Sequence, residues 1–123
     1  MQTRRVVRSS RFDRDLRSLT RKKYPDLEET VQTFLTRCGI SGVPAASHKI
    51  PGVGNNSVFK SRLALRGMGK RKGARIIYFC DEERVVALFV YAKNSLSDVP
   101  ANEIRAALNS VGLLDVTGSE PLS

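Results

Sequence analysis

Three stretches of strand-forming residues follow one another in the second half of this 123-residue chain, and they constrain its fold most strongly. Val58–Leu65 alternates between two sets of side chains, residues 74–80 are mostly apolar, and residues 84–91 are rich in valine. Alternation with a period of two, and runs of β-branched and aromatic residues, are typical of β-strands. Asp81 and Glu82 form a short polar turn between the second and third stretch. The pattern predicts an antiparallel three-stranded meander.

The first half of the chain predicts one strand and two helices. Residues 4–8 are typical of a short edge strand, and Ser9 and Ser10 offer side-chain oxygens that suit the start of a helix. Pro25 is expected to end that helix and to begin the second one, which Gly39 would terminate. The two helices would bury apolar side chains that recur at helical spacing: Phe12, Leu16 and Leu19, then Leu27, Val31, Phe34, Leu35 and Cys38.

A third helix is expected over residues 100–110, followed by a frayed tail over residues 117–123. The order is then strand, two helices, three-stranded meander and C-terminal helix. This order predicts an α+β fold with a small antiparallel sheet, formed by residues 1–123 as a single domain. The helices would cover one face of the sheet and leave the other to solvent or a ligand.

Positive charge is concentrated in two segments. The chain carries 21 basic and 12 acidic residues, a net charge of +9. Residues 1–23 contain nine basic and two acidic residues, and residues 59–75 contain seven basic residues and no acidic one. Such segments favour a polyanionic partner, because phosphates that are neutralised by lysine or arginine release their condensed counterions. Nucleic acid is therefore the expected partner, although Arg14, Arg17 and Arg21 would equally fit the solvated face of the first helix.

Several function classes lack their sequence signatures. Cys38, Cys80 and a lone histidine, His48, cannot supply a four-ligand zinc site, and we expect both cysteines to be buried as small apolar residues. Phosphate-loop, G-x-S-x-G and HExxH motifs are absent, so we expect neither a metal nor a small-molecule cofactor. The chain has no apolar run long enough for a membrane span and no secretory signal pattern, which favours a cytoplasmic protein without a membrane partner.

Lys60, Arg62 and Arg75 are the strongest candidates for chemistry. Lys60 and Arg62 lie two residues apart on one strand and therefore share a face, and the hairpin would bring Arg75 beside them. A lysine that is crowded by two guanidinium groups is expected to have a lowered pKa and to accept a proton near neutral pH. The arginines would stabilise the charge that develops on a pentacoordinate phosphate. A strand that binds phosphate without cleaving it fits the same spacing.

Two further groups accompany this cluster. We expect residues 66–73 to form a basic turn that grips a nucleic-acid backbone, or else a solvated hairpin tip, through Arg66, Lys70, Arg71 and Lys72. Tyr78 is expected in the core, whereas Tyr91 and Lys93 would emerge together near the cationic face, where the ring could stack on a base. His48 is only an outside candidate for catalysis.

Three segments in this order resemble the RelE superfamily of toxins from type II toxin–antitoxin systems, nearest to its HigB-like branch. They are FKSRLAL at 59–65, GKRKGARIIY at 69–78 and LFVYAKN at 88–94. The likeness is close over residues 57–98 and loose over residues 12–114. It implies a compact RelE-like sheet with two N-terminal helices on one face.

The resemblance also implies an activity and partners. Members of the family cleave mRNA in the ribosomal A site without metal: the ribose 2′-OH attacks the adjacent phosphate, and a cognate antitoxin protein holds the toxin inactive. Lys60 and Arg62 match the paired basic positions, Arg75 the arginine that contacts the scissile phosphate, and Lys93 the basic residue that ends the last strand. Residues 94–97 depart from branches that place a leaving-group acid there; Tyr91, Lys93 or a ribosomal group would have to serve.

The expected function is thus a ribosome-dependent mRNA endoribonuclease toxin that causes growth arrest. Lys60 would be the base, Arg62 and Arg75 the phosphate stabilisers, and Tyr91 with Lys93 the orienting or acid end. Two alternatives stay open: a ParE-like toxin that poisons gyrase on the same fold, and a non-catalytic nucleic-acid-binding module.

Overall fold

The computed structural model of this chain describes residues 3–65, 69–93 and 98–114. Within these ranges it has three helices and a five-stranded sheet. The predicted tail at 117–123 lies outside the described residues. The elements are β1 (Arg5–Arg8), α1 (Ser10–Lys22), α2 (Leu27–Ser41), β2 (His48–Lys49), β3 (Val58–Leu65), β4 (Gly69–Cys80), β5 (Arg84–Ala92) and α3 (Ala101–Ser110).

The sheet has the strand order β1-β5-β4-β3-β2 and is mixed. The predicted meander is confirmed, since β3, β4 and β5 pair antiparallel in sequence order. The expectation of a purely antiparallel sheet is wrong, because β1 pairs parallel with β5, with Arg5 opposite Arg84. A parallel pair needs a long connection, and here α1, α2 and the rest of the sheet separate the two strands. The residue pattern of β1 does not reveal that it pairs with β5, or in which direction, because the two strands are far apart along the chain.

Helices α1 and α2 cover one face of the sheet. Ser9, not Ser10, caps α1: its side-chain oxygen accepts a hydrogen bond of 3.1 Å from the backbone N–H of Phe12. Tyr78 is fully buried on this face, as predicted, and its hydroxyl lies 2.6 Å from the Ser47 hydroxyl. The apolar stripes of both helices meet the sheet in one core, which includes Phe12, Leu16, Leu27, Val31, Leu35, Cys38, Leu63, Ile76, Tyr78 and Cys80. Both cysteines are buried, as expected.

Helix α2 extends beyond Gly39, the residue that was predicted to end it. Gly39 lies inside the helix, and the residue at the C-terminal end is Gly42, which has a φ of 83°. A Cβ atom at Gly39 would lie 3.3 Å from the Arg4 carbonyl oxygen and 3.3 Å from the Val6 side chain. The Arg4 N–H also donates a 2.8 Å hydrogen bond to the Gly39 carbonyl. Gly39 therefore permits β1 to approach the helix closely rather than ending it.

Helix α3 packs on the opposite face of the sheet. Ile104 and Leu108 are buried there in a second core with Ile77, Phe79 and Phe89. The expectation that one face would be left to solvent or a ligand is therefore wrong for this part of the sheet. Successive side chains of β4 and β5 point to opposite faces of the sheet, and most of them are apolar on both faces. Both faces of this part of the sheet therefore need to be covered by helices.

Strand β4 begins earlier than predicted. Gly69 already pairs with Leu65, so the segment expected as a basic turn is strand from Gly69 onward. Pairing with β3 overrides the low strand propensity of its glycine and lysine residues. Arg66 lies outside the described residues. So do the side chains of Lys70, Arg71 and Lys72, whose backbone belongs to β4.

Candidate functional site

A row of polar side chains crosses three strands on the α3 face of the sheet. The strand register places Arg62 of β3 opposite Arg75 of β4, and Arg75 opposite Tyr91 of β5. Lys60 lies two residues before Arg62, on the same face of β3. The predicted juxtaposition of Lys60, Arg62 and Arg75 is therefore confirmed.

These residues line a cleft of about 240 Å³. The lining draws on β2, β3, β4 and the residue that follows β5, and every described member of it is basic or polar. The lining residues are His48, Lys60, Ser61, Arg62, Arg75 and Lys93. A small cleft with converging cations has the size and the charge to bind a phosphate group.

Arg75 is the most enclosed cation of the cleft. Its residue is 7% exposed, and its guanidinium donates a 3.2 Å hydrogen bond to the backbone carbonyl of Ala74. Burial lowers the pKa of Arg75 and the nearby Arg62 lowers it further, while Tyr91 acts in the opposite direction. An anion bound between the two guanidinium groups would favour the charged form of Arg75, because it would bring a negative charge close to both of them.

Tyr91 is buried beside Arg75. Burial, reinforced by the carboxylate of Asp98, raises the pKa of Tyr91 to about 12, against the influence of Arg75. Its hydroxyl is enclosed and has no hydrogen-bond partner among the described residues. The expectation that its ring would emerge with Lys93 and be open for stacking is therefore wrong, because Tyr91 is only 7% exposed and packs in the core of the α3 face.

Lys60 is paired with a carboxylate. Its ammonium lies 3.3 Å from Asp98, whose carboxylate also accepts a 3.0 Å hydrogen bond from the Val99 N–H. The two side chains are 31% and 65% exposed. Exposed pairs of this kind contribute only about 0 to 1 kcal/mol, so an incoming phosphate can replace Asp98. The residue pattern did not indicate this carboxylate partner, which is distant from Lys60 along the chain.

His48, an outside candidate in the sequence, also lines the cleft. Strand β2 pairs antiparallel with β3 and sets His48 directly opposite Lys60, which puts the imidazole on the cationic face. A two-residue strand within a connector rich in proline and glycine has no periodicity to detect. The only available signal was that His48 is the one histidine of the chain.

The arginines of α1 do not join the cleft. Arg14, Arg17 and Arg21 are exposed on a helix that packs against the other face of the sheet. They form a separate cationic surface. Any role in holding RNA would require a ligand large enough to reach both sides, such as a ribosome.

A second and larger groove, of about 490 Å³, lies between α2 and β3. Asp26, Glu29 and Arg37 contribute mixed charges to its α2 side, and Arg62 borders both this groove and the cleft. Its mixed charges make it less suited to a polyanion than the cleft.

Within residues 3–65, 69–93 and 98–114, no group of three or more histidine, cysteine, aspartate or glutamate side chains is arranged to hold a metal ion. Among those residues, no helix has the length and apolar character needed to cross a membrane. No family model matches the chain.

Proposed function

We propose that this protein is a ribosome-dependent mRNA endoribonuclease, the toxin of a type II toxin–antitoxin system of the RelE type. The observation that carries the proposal is the convergence of Lys60, Arg62, Arg75 and Lys93 around one phosphate-sized cleft. Burial and the nearby Arg62 lower the pKa of Arg75, and a phosphate in this cleft would favour its charged form.

The cleft residues divide the chemistry of RNA cleavage among them. Messenger RNA displaces Asp98 from Lys60, and the Lys60 amine accepts the proton of the ribose 2′-hydroxyl. The 2′-oxygen then attacks the adjacent phosphorus. Arg62 and Arg75 stabilise the extra negative charge of the pentacoordinate phosphate because both remain protonated.

The P–O5′ bond breaks in the second half of the reaction. The products are a 2′,3′-cyclic phosphate and a 5′-hydroxyl, whose oxygen takes up a proton. Lys93 binds the neighbouring phosphate at the rim, and Tyr91 holds the position of Arg75 from the adjacent strand. Every step uses side-chain protons and charges, so the proposal assigns no role to a metal or a small-molecule cofactor.

The proposed partners of the protein are the ribosome with its mRNA and a cognate antitoxin. The ribosome presents the mRNA and contributes contacts to the exposed α1 arginines. A cognate antitoxin protein covers the cationic cleft with an acidic or apolar segment until the toxin is released.

The test uses purified protein, ribosomes programmed with a defined message, and a chelator. We expect cleavage within the A-site codon by the wild-type protein, and a loss of at least 100-fold in Lys60→Ala and Arg75→Ala. Lys49→Ala is the matched control, because Lys49 is an exposed cation on β2 next to the site but outside the cleft lining. Unchanged cleavage in both cleft variants would reject this site.

A second candidate is a binding module that holds RNA without cleaving it. The Lys60–Asp98 pair favours it, because a carboxylate lies 3.3 Å from the ammonium group that the nuclease mechanism uses as its base. Ribosome binding without cleavage would support the module. Induced cells that accumulate broken DNA and retain their mRNA would instead indicate a gyrase poison.

A further inference from the structure

His48 has a position in the cleft that the roles above do not use. It lies on β2, at the outer side of the sheet, and its antiparallel partner is Lys60. Side chains of directly opposed residues in an antiparallel pair start about 4.5 to 5.5 Å apart and share a face. The exposed imidazole and the Lys60 ammonium can therefore both reach one phosphate.

The other cleft residues are poor donors of a proton to a leaving alkoxide. Arginine does not give up its proton in proteins. The Tyr91 hydroxyl is enclosed, and its pKa is raised to about 12. Imidazolium is a stronger acid than the lysine ammonium, since their ordinary pKa values are about 6.5 and about 10.4. His48 is thus the cleft side chain best suited by its chemistry to donate.

We propose that His48 is a catalytic residue that protonates the 5′-oxygen as the P–O5′ bond breaks. This assignment rests on the nuclease function proposed above. The imidazolium gives one proton to the leaving oxygen and becomes neutral, while Lys60 has taken the proton of the 2′-hydroxyl. The pair of electrons from the broken bond stays on O5′, and solvent returns both side chains to their starting states.

The charges around His48 fit this role. Lys60 and Arg62 of β3, Arg75 of β4 and Lys93 after β5 face the cleft, with Asp98 as the described carboxylate closest to Lys60. A bound phosphate places a negative charge among these cations, within reach of His48.

The experiment compares two messages on programmed ribosomes. One carries the natural 5′-oxygen at the cleaved bond, and the other carries a 5′-bridging sulfur, which leaves as a thiolate without needing a proton. We expect His48→Gln to cleave the oxygen message at least 100-fold more slowly than the wild type, and the sulfur message at nearly the wild-type rate. Lys49→Gln, the neighbouring β2 residue that faces away from Lys60, should cleave both messages like the wild type.

The other outcomes separate the two proposals. If His48→Gln slows both messages equally, or slows neither, His48 is not the acid, while the nuclease function stands. If the wild-type protein cleaves neither message, the nuclease function fails, and the role of His48 fails with it. The urea midpoint of His48→Gln establishes that the variant is folded, and an equal loss on both messages in a folded variant overturns the assignment.

Discussion

Arg75 is the single residue that most distinguishes the cleft, because it is a buried cation in the cleft lining. It is buried, with 7% of its surface exposed, and it lies opposite Arg62 on the neighbouring strand. Proteins rarely bury a cation without a purpose, because desolvation disfavours the charged form. Under the proposed function, Arg75 uses this charge to bind a phosphate group of the RNA.

Under the proposed function, Asp98 and the RNA compete for Lys60. Asp98→Asn should raise the affinity for a short single-stranded RNA about two- to fivefold, because it removes an exposed ion pair and a repulsion toward phosphate. Fluorescence anisotropy would measure the change. Asp15→Asn makes the same change in net charge on α1, where Asp15 pairs with Arg11, and should have no comparable effect. Equal effects of the two variants would mean that only net charge matters.

The enclosed hydroxyl of Tyr91 is expected to lower the free energy of unfolding. Tyr91→Phe should be at least as stable as the wild type, by up to about 1 kcal/mol, because a buried hydroxyl without a partner among the described residues loses its hydration. The measurement is the free energy of unfolding in urea. A clear loss of stability would show that the hydroxyl has a stabilising partner.

The raised pKa of Tyr91 adds a pH dependence. The unfolded chain ionises this tyrosine near pH 10 and the folded protein near pH 12, so the folded state holds the extra proton in between. The contribution to stability is present below pH 10 and is lost as the pH rises toward 12. Tyr91→Phe should therefore lose less stability than the wild type between pH 10 and pH 12. The same loss in both proteins would contradict this assignment.

Among the secondary-structure elements, helix α1 has a side-chain cap at its N-terminus, which is Ser9. Ser9→Ala should lower the free energy of unfolding by about 1 kcal/mol, because the backbone N–H of Phe12 loses its acceptor. Ser10→Ala is the matched control, since Ser10 is exposed in the first turn, and it should change stability by less than about 0.5 kcal/mol. Urea unfolding of both variants measures the difference. Equal losses would contradict the cap.

The elements also separate what the residue pattern could predict from what it could not. The alternation in Val58–Leu65 correctly placed Lys60 and Arg62 on one face, because side-chain direction along a strand is a local property. Strand β2 escaped prediction because two residues form a strand only through pairing with β3. The prediction that Gly39 ends α2 was wrong for a related reason. The role of Gly39 depends on the close approach of β1, not on the helix that contains it.

The described part of the chain presents two cationic surfaces, one on each side of the sheet. The cleft contains Lys93, and the exposed arginines of α1 include Arg17. A short RNA of about six nucleotides should bind to the cleft alone. Lys93→Gln should then make the plot of log affinity against log salt less steep by about 0.7, the value for one phosphate contact in single-stranded RNA.

Arg17→Gln provides the contrast for this measurement. It should leave the salt dependence for the short RNA unchanged and weaken binding to the whole ribosome, since only a large ligand reaches both surfaces. If Arg17→Gln lowers the slope as much as Lys93→Gln does, the cleft is not the preferred RNA site.

The amino-acid sequence by itself determined the three meander strands, the amphipathic faces of the first two helices, and the side of β3 that carries positive charge. These properties depend on neighbours within a few positions, so periodicity reveals them. The tertiary structure alone decided the parallel pairing of β1, the cover that α3 gives to the second face, the pairing of Lys60 with Asp98, and the place of His48 beside the cleft. Each of these joins residues that are distant along the chain, and their meeting is set by how the whole core packs.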